Sequence, residues 1–203
     1  MGKTYFIGDL HFGHENILSF DNRPFRDIKK HDQYIINHWN KKVGIEDEVW
    51  ILGDISWYNS TETIEIIREL NGIKHLCKGN HDNKILKNRE LQKEFIEICD
   101  YKEIETDKGK GIVLCHYPIP CFKNHFYGWY HLYAHVHTSF EYKMMERNRY
   151  EMEELYGKES KMYNVGCMLP YMSYEPMTLK EIEDGYDMSR YMVINSNGEG
   201  IKG

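Results

Sequence analysis

A chain of 203 residues, 41% of them apolar, has enough material for one domain with a sizeable core. A net charge of −6 gives no overall attraction to nucleic acid, no apolar run approaches the length of a membrane span, and the N-terminus lacks a signal-peptide core, so a soluble cytoplasmic protein is expected. The five cysteines form no C-x-x-C pair and three lie in apolar runs, the pattern of buried, reduced thiols.

In chain order, residues 3–8 (KTYFIG) read as a buried strand followed by Asp9-Leu10-His11. Tyr34, Ile35, His38 and Trp39 recur at helical spacing and predict a helix over 31–43. A second strand over 48–52 closes on Gly53-Asp54. The amphipathic run 61–70 predicts a helix capped by Ser60 or Thr61 and ended by Gly72. A third strand over 74–77 runs into Lys78-Gly79-Asn80-His81-Asp82-Asn83, and one further helix is expected over 84–96. This strand–helix alternation predicts right-handed βαβ units.

The pattern then changes. Residues 101–106 and 111–115 flank the turn-rich DKGKG and predict a hairpin. A strand over 129–134 ends in His135-Val136-His137. Residues 140–161, charged and methionine-containing, read as an insertion that is solvated by default, with a lid or a homodimer contact as the alternatives. Strand resumes over 163–167. Thr178-Leu179-Lys180-Glu181 matches a capping box and starts a short helix, and 191–195 reads as a last strand before a frayed tail. The expected architecture is α/β: residues 1–203 as one domain, two packed sheets covered by helices.

The strand ends carry the chemistry. They bear Asp9-x-His11, Gly53-Asp54, Gly79-Asn80-His81-Asp82, His116 and His135-x-His137. In α/β sheets, sites form where the carboxyl ends of strands meet, so these donors can converge. Side chains two residues apart on extended chain point the same way, which offers a reason for the D-x-H and H-x-H spacings. A single D-x-H is worth little and a lone G-N-H-D is more often a plain turn, while an H-x-H pair carries more weight because histidines alternating on a strand are uncommon in cores. Together, Asp9, His11, Asp54, Asn80, His116, His135 and His137 make seven donors, and one shared carboxylate would give two ions four bonds each. Mixed imidazole, carboxylate and amide donors suit manganese, iron or zinc better than calcium, with nickel and magnesium as further candidates.

The order D-x-H, G-D, G-N-H-D, H, x-H-x-H resembles the calcineurin-like metallophosphoesterase superfamily, over Tyr5 to about Gly166. The resemblance implies a four-layer α/β/β/α sandwich of two mixed sheets flanked by helices. It implies one divalent ion on Asp9, His11, Asp54 and His137, and a second on Asp54, Asn80, His116 and His135, with Asp54 bridging. A hydroxide between the ions would be the nucleophile. His81 would be the general acid, with Asp82 setting its tautomer and basicity. The family usually has glycine where this chain has Ala134, tolerable if the backbone there is not left-handed.

The substrate is less legible. Arg23 offers a phosphate clamp or a surface ion pair, and Trp57 and Tyr117 offer stacking faces or packing around the metals. The leading expectation is hydrolysis of a phosphodiester or phosphomonoester in a small molecule, with nucleotide-derived esters among the candidates. A nuclease would need a basic channel, and no Lys/Arg stripe lies near the motifs. A protein phosphatase usually needs a longer chain. A non-catalytic protein-binding scaffold on the same fold would have lost ligands that this chain keeps.

Overall fold

A computed structural model describes residues 2–106 and 109–196. Strand β1 (Thr4–Ile7) is followed by the short helix α1 (Ile17–Phe20) and by α2 (Ile28–Lys42). Then come β2 (Glu48–Ile51), α3 (Ser60–Glu69) and β3 (Ile73–Cys77). The single helix expected over 84–96 is instead two turns, α4 (Asn83–Leu86) and α5 (Arg89–Gln92), followed by strand β4 (Glu97–Cys99). Asn88 causes the break: its backbone is extended and its side chain accepts from the Glu90 and Leu91 N–H groups. The cap of α3 also differs from expectation. Asn59 holds it, in a reciprocal box with Glu62.

The second half supplies β5 (Tyr101–Glu105), β6 (Gly111–Cys115), β7 (Tyr130–Tyr133), α6 (Phe140–Tyr156), β8 (Met162–Asn164) and α7 (Leu179–Ser196). The expected hairpin is the antiparallel pair β5–β6; positions 107 and 108 of its turn lie outside the described residues. Helix α7 does begin on Thr178, whose hydroxyl accepts from Glu181 N–H while the Glu181 carboxylate accepts from Thr178 N–H. It is not short, however, and it runs through 191–195, where a strand was expected. A β-rich run is a weak prior once a capped helix, docked here through Ile182 and Tyr186, leads into it. The tail beyond residue 196 lies outside the described residues.

Strands β1 to β4 form a parallel sheet in that order, and β5 to β8 a mixed one. The first sheet is thus parallel throughout its four strands, with an antiparallel bridge, Phe6 to Met177, on its β1 edge. A parallel bridge between Gly8 and Gly166 joins the two sheets just past β1 and β8. Ile7, Ile51 and Leu76 share one core cluster with Leu114, Leu132 and Tyr163, so the sheets bury their faces against each other. Helix α2 adds Trp39, fully buried with its indole N–H on the Asn71 carbonyl.

The segment over 140–161 holds helix α6, which docks one face and leaves the other in solvent. Tyr142 and Met145 of α6 pack on a second cluster containing Val113, Phe122, Trp129 and Tyr133. Arg149 is 2% exposed, stands 4.2 Å over the Tyr186 ring and donates to the Ser160 carbonyl. The charged stripe that suggested solvent therefore includes a buried anchor, and α6 is the covering layer of the mixed sheet. Among the described residues no helix is long and apolar enough to cross a membrane.

His131 of β7 is completely buried. Its Nδ1–H donates to the Val113 carbonyl and its Nε2 accepts the Ile119 N–H, so the ring is neutral. Burial pushes its pKa down to about 4. Between that value and the ordinary 6.5, the unfolded chain binds a proton that the folded chain does not. The stability this ring protects is complete above the unfolded pKa and is lost as pH falls through the folded one. We expect His131→Gln to be less stable at pH 7 but to show a pH dependence of unfolding shallower by up to ~1.4 kcal/mol per pH unit in that window, read from urea melts.

Candidate metal centre

Every predicted donor emerges just past the carboxyl end of a strand, and the backbone there is unusual. Asp9, His11, Asp54, His135 and His137 all have left-handed φ, between 48° and 70°. The D-x-H and H-x-H pairs are therefore not extended chain, and alternation along a strand is not why their members converge. Two left-handed residues in each tight loop turn both side chains inward. Two glycines make room for this. Gly53 lies at φ +79, where an added Cβ would meet Gly79 N and His116 Nδ1 at 2.5 Å, and a Cβ on Gly79 would meet Asp54 Oδ1 at 2.2 Å. Ala134 is outside the left-handed set, and its methyl fits because its neighbour is Gly8, where a Cβ would come within 2.6 Å of it.

The ligand atoms of Asp9, His11, Asp54 and His137 all lie within 4.8 Å of one another. Asp54 is central. Its Oδ2 is 3.8 Å from His11 Nε2 and also 3.8 Å from His116 Nε2. Asn80 Oδ1 is 3.1 Å from the same His116 nitrogen, and the His135 ring stands edge-on to His116 with centroids 5.1 Å apart. Asn80 and His116 thus stand near Asp54, with the His135 ring against His116, while the tight cluster of ligand atoms is that of the first four residues. The residues fit divalent ions: His11 Nε2 is buried without a hydrogen-bond partner, beside two buried carboxylates. Among the described residues this is the cluster of acidic and imidazole groups with the geometry of a metal site.

The electrostatics agree. Burial raises Asp54 to about 6 against the pull of His116, with Asp9 adding to the rise. Burial, followed by the charge of His137, holds His11 well below its ordinary value. For His137, burial acts downward but Asp9 and a hydrogen bond to Asp21 outweigh it, so its pKa is raised. Buried carboxylates beside imidazole nitrogens form a field that a cation would relieve.

The remaining predicted residues divide. His81 is exposed at the site, where its backbone N–H donates to Asp54 Oδ1 at 2.9 Å. With His11, His14, Phe20, Trp57, His135, His137 and Glu141 it lines an open cavity of about 460 Å³. Asp82 does not bond the His81 ring. It is buried, and its carboxylate accepts three backbone N–H groups, Asp54 at 2.9 Å, Ile55 at 3.0 Å and Gly79 at 2.7 Å. The expected tautomer partner is a clamp between two ligand loops.

Arg23 is no phosphate clamp either. It is 4% exposed, and its guanidinium donates to Asp21, to the Asp9 and Leu10 carbonyls, to His31 and to Cys167. All five donors of the fork are engaged inside the protein. Trp57 lines the cavity, but its ring stacks on His14 at 4.1 Å and on His11 at 4.6 Å and tilts against His81 at 4.5 Å, so it packs the histidines. Tyr117 stands 4.7 Å from the His135 ring, is 45% exposed and is not among the residues lining the cavity. Asp21 went unremarked in the sequence. It accepts from His137 Nδ1 at 2.8 Å and from Arg23, and nothing in FDNRPF marks one aspartate as the partner of a histidine more than a hundred residues away.

The chain resembles known proteins. The family description "Calcineurin-like phosphoesterase" matches residues 2–164. An uncharacterised protein of Methanocaldococcus jannaschii is 31% identical over 191 residues, 91% of this chain and 94% of that one. The Gene 66 protein of Mycobacterium phage L5 is 38% identical over 96 residues, 46% of each chain. A solved structure of a protein of unknown function from Aquifex aeolicus superposes with a TM-score of 0.67 at 29% identity, covering 91% of this chain and 99% of that one. The site is that of a metal-dependent phosphoesterase, and the chain belongs to the calcineurin-like phosphoesterase family.

Removing the Asp82 carboxylate orphans three buried N–H groups at once. Asp82→Ala is expected to cost roughly 3 kcal/mol or more of unfolding free energy, and Asp82→Asn, which keeps one strong acceptor, about half as much, both measured by urea denaturation. An Asp82→Ala protein as stable as wild type would show that the carboxylate does not clamp the two loops.

Proposed function

We propose that this chain hydrolyses a small phosphodiester, nucleotide-derived by preference, with two divalent ions and His81 as general acid. One observation carries the reading: Asp54 Oδ2 lies equally far, 3.8 Å, from a nitrogen of each donor group, the position of a bridging carboxylate. Asp9, His11, Asp54 and His137 would hold one ion, and Asp54, Asn80, His116 and His135 the other, with manganese favoured by the mixed donors. Ions bound there would neutralise phosphoryl oxygens and lower the cost of deprotonating water near neutral pH.

The protein's own residues supply the rest. Asp21 and the Leu52 carbonyl accept from Nδ1 of His137 and His116, which leaves each Nε2 lone pair free toward the site. His81 is fixed through its backbone to Asp54 while its ring reaches the cavity, where it can give a proton to the departing oxygen. The cavity volume suits a small ester. The net charge of −6 argues against a nucleic-acid channel, and the free cysteines suit a reducing, cytoplasmic setting.

The test is Mn²⁺-dependent hydrolysis of bis-p-nitrophenyl phosphate against the monoester. Diester turnover is expected to predominate and to vanish in Asp54→Ala. His81→Ala should keep its metal and lose little on a nitrophenolate leaving group, which needs no proton, but ~10²–10⁴-fold in kcat on an alkyl or nucleoside leaving group. Equal losses on both would remove the acid role from His81, and a monoester preference would make the chain a phosphatase.

A further inference from the structure

The imidazoles around Asp54 share a pattern. Nδ1 of His137 is 2.8 Å from the Asp21 carboxylate and Nδ1 of His116 is 2.7 Å from the Leu52 carbonyl. Both partners can only accept, so each ring carries its proton on Nδ1 and leaves the Nε2 lone pair for an ion. His11 has the same requirement, because its Nε2 is buried, unpartnered and 3.8 Å from Asp54. Yet its Nδ1 meets neither a carboxylate nor a carbonyl. It meets the Nδ1 of His14, at 3.2 Å.

Two ring nitrogens in hydrogen-bond contact share one proton. If His14 donated it, neutral His11 would hold its own proton on Nε2 and have no lone pair to offer. We propose that His14 is the positioning residue of His11, its Nδ1 accepting the His11 Nδ1–H and so holding His11 in the metal-ligating tautomer. This rests on the reading that the cluster binds divalent ions.

The surroundings fit an acceptor held in place. The His14 ring lies parallel to Trp57, 3° apart at 4.1 Å, which fixes its plane. The chain reaches His14 through Gly13 at φ +74, whose N–H donates to Asp32 and where a Cβ would run into the Tyr58 ring at 2.7 Å. Asp32 is also bound by Tyr58 and His31, and His31 accepts from Arg23. The loop carrying His14 is thereby tied into the buried network that also holds Asp21. Trp57, whose role in the sequence was ambiguous, gains one here as the plate against which the acceptor is pressed.

The test is retention of Mn²⁺ by the loaded full-length protein against a competing chelator, with no substrate present. His14→Phe keeps a flat ring on Trp57 but removes the acceptor, and His14→Asn places a carbonyl oxygen near the position of Nδ1. His14→Phe is expected to weaken retention of the ion on His11 by ~10–100-fold, and His14→Asn to stay within about threefold of wild type. Should the phenyl ring disturb folding, as seen in circular dichroism, His14→Ala against His14→Asn makes the same comparison. Equal weakening in the acceptor and non-acceptor variants, or none in either, overturns the proposal. A wild-type chain that retains no divalent ion overturns the phosphoesterase reading instead, an outcome separate from both.

Discussion

The centre depends on backbone that its residues do not prefer. Asp9, His11, Asp54, His135 and His137 all hold left-handed φ, a conformation that costs a residue with a side chain on the order of 1–3 kcal/mol. Such loops persist only when their surroundings over-determine them, and here the loops determine one another. Asp9 N–H donates to the Gly53 carbonyl, and His11 N–H to the Asp54 carbonyl. The Asp82 carboxylate ties the loop after β3 to the loop after β2, and His135 N–H closes on the Asp9 carboxylate from the other sheet. Remove one cross-link and the neighbouring loops can relax toward ordinary φ, turning their side chains away from the site. Strain and function are thus the same feature: the turns that aim the donors are the turns the protein must restrain.

The charge arrangement follows from that geometry. Tight loops bury Asp9 and Asp54 close together, and burial drives Asp54 up to about 6. A fold without a cation there would surround two such carboxylates with permanent positive groups. This one surrounds them with imidazoles. The permanent charge nearby, Arg23, sits behind the Asp9 carbonyl and pairs with Asp21, which in turn holds His137. Arg23 therefore neutralises the supporting carboxylate without competing for the ligand oxygens.

The chemistry of the centre was legible in the sequence because donors are chemically distinctive and strand ends are easy to find. What surrounds it was not. Asp82 read as a functional side chain because it is charged and sits in a motif, yet it serves three backbone N–H groups, and Arg23, read as a phosphate clamp or a surface ion pair, is buried among two carbonyls and Asp21. Backbone hydrogen-bond demand depends on which loops meet in space, and no spacing reveals it. Trp57 read equally as a stacking face or as packing around the metals, because sequence cannot show that three histidines already contact its ring. The spacing argument for Asp9-x-His11 reached the right pairing through the wrong conformation, since period-two alternation and a double left-handed turn both bring positions i and i+2 to one side. The fold followed the same rule. Capped, amphipathic segments such as α3 and the start of α7 were visible, whereas the break at Asn88 and the passage of α7 through a β-rich run depend on tertiary context.

The donors come from both sheets, so their spacing is set by how the sheets pack. Asp9, His11, Asp54 and Asn80 come from the ends of the parallel sheet, and His116, His135 and His137 from the mixed one. Between the sheets runs a narrow seam. Gly8 bridges Gly166, and the Ala134 methyl occupies the space that any side chain on Gly8 would need. A Cβ on Gly166 would in turn meet Asp9 Oδ2 at 2.9 Å. Small residues at this seam let the strand ends approach until a carboxylate from one sheet accepts an N–H from the other, as Asp9 does from His135 at 3.0 Å. Interiors packed to crystal density transmit displacement instead of absorbing it, so an added methyl group in the seam would change the separation of the donor groups as directly as a change in a ligand. The site is assembled at a junction between layers, and the glycines that allow the junction belong to the metal centre although they donate nothing to it.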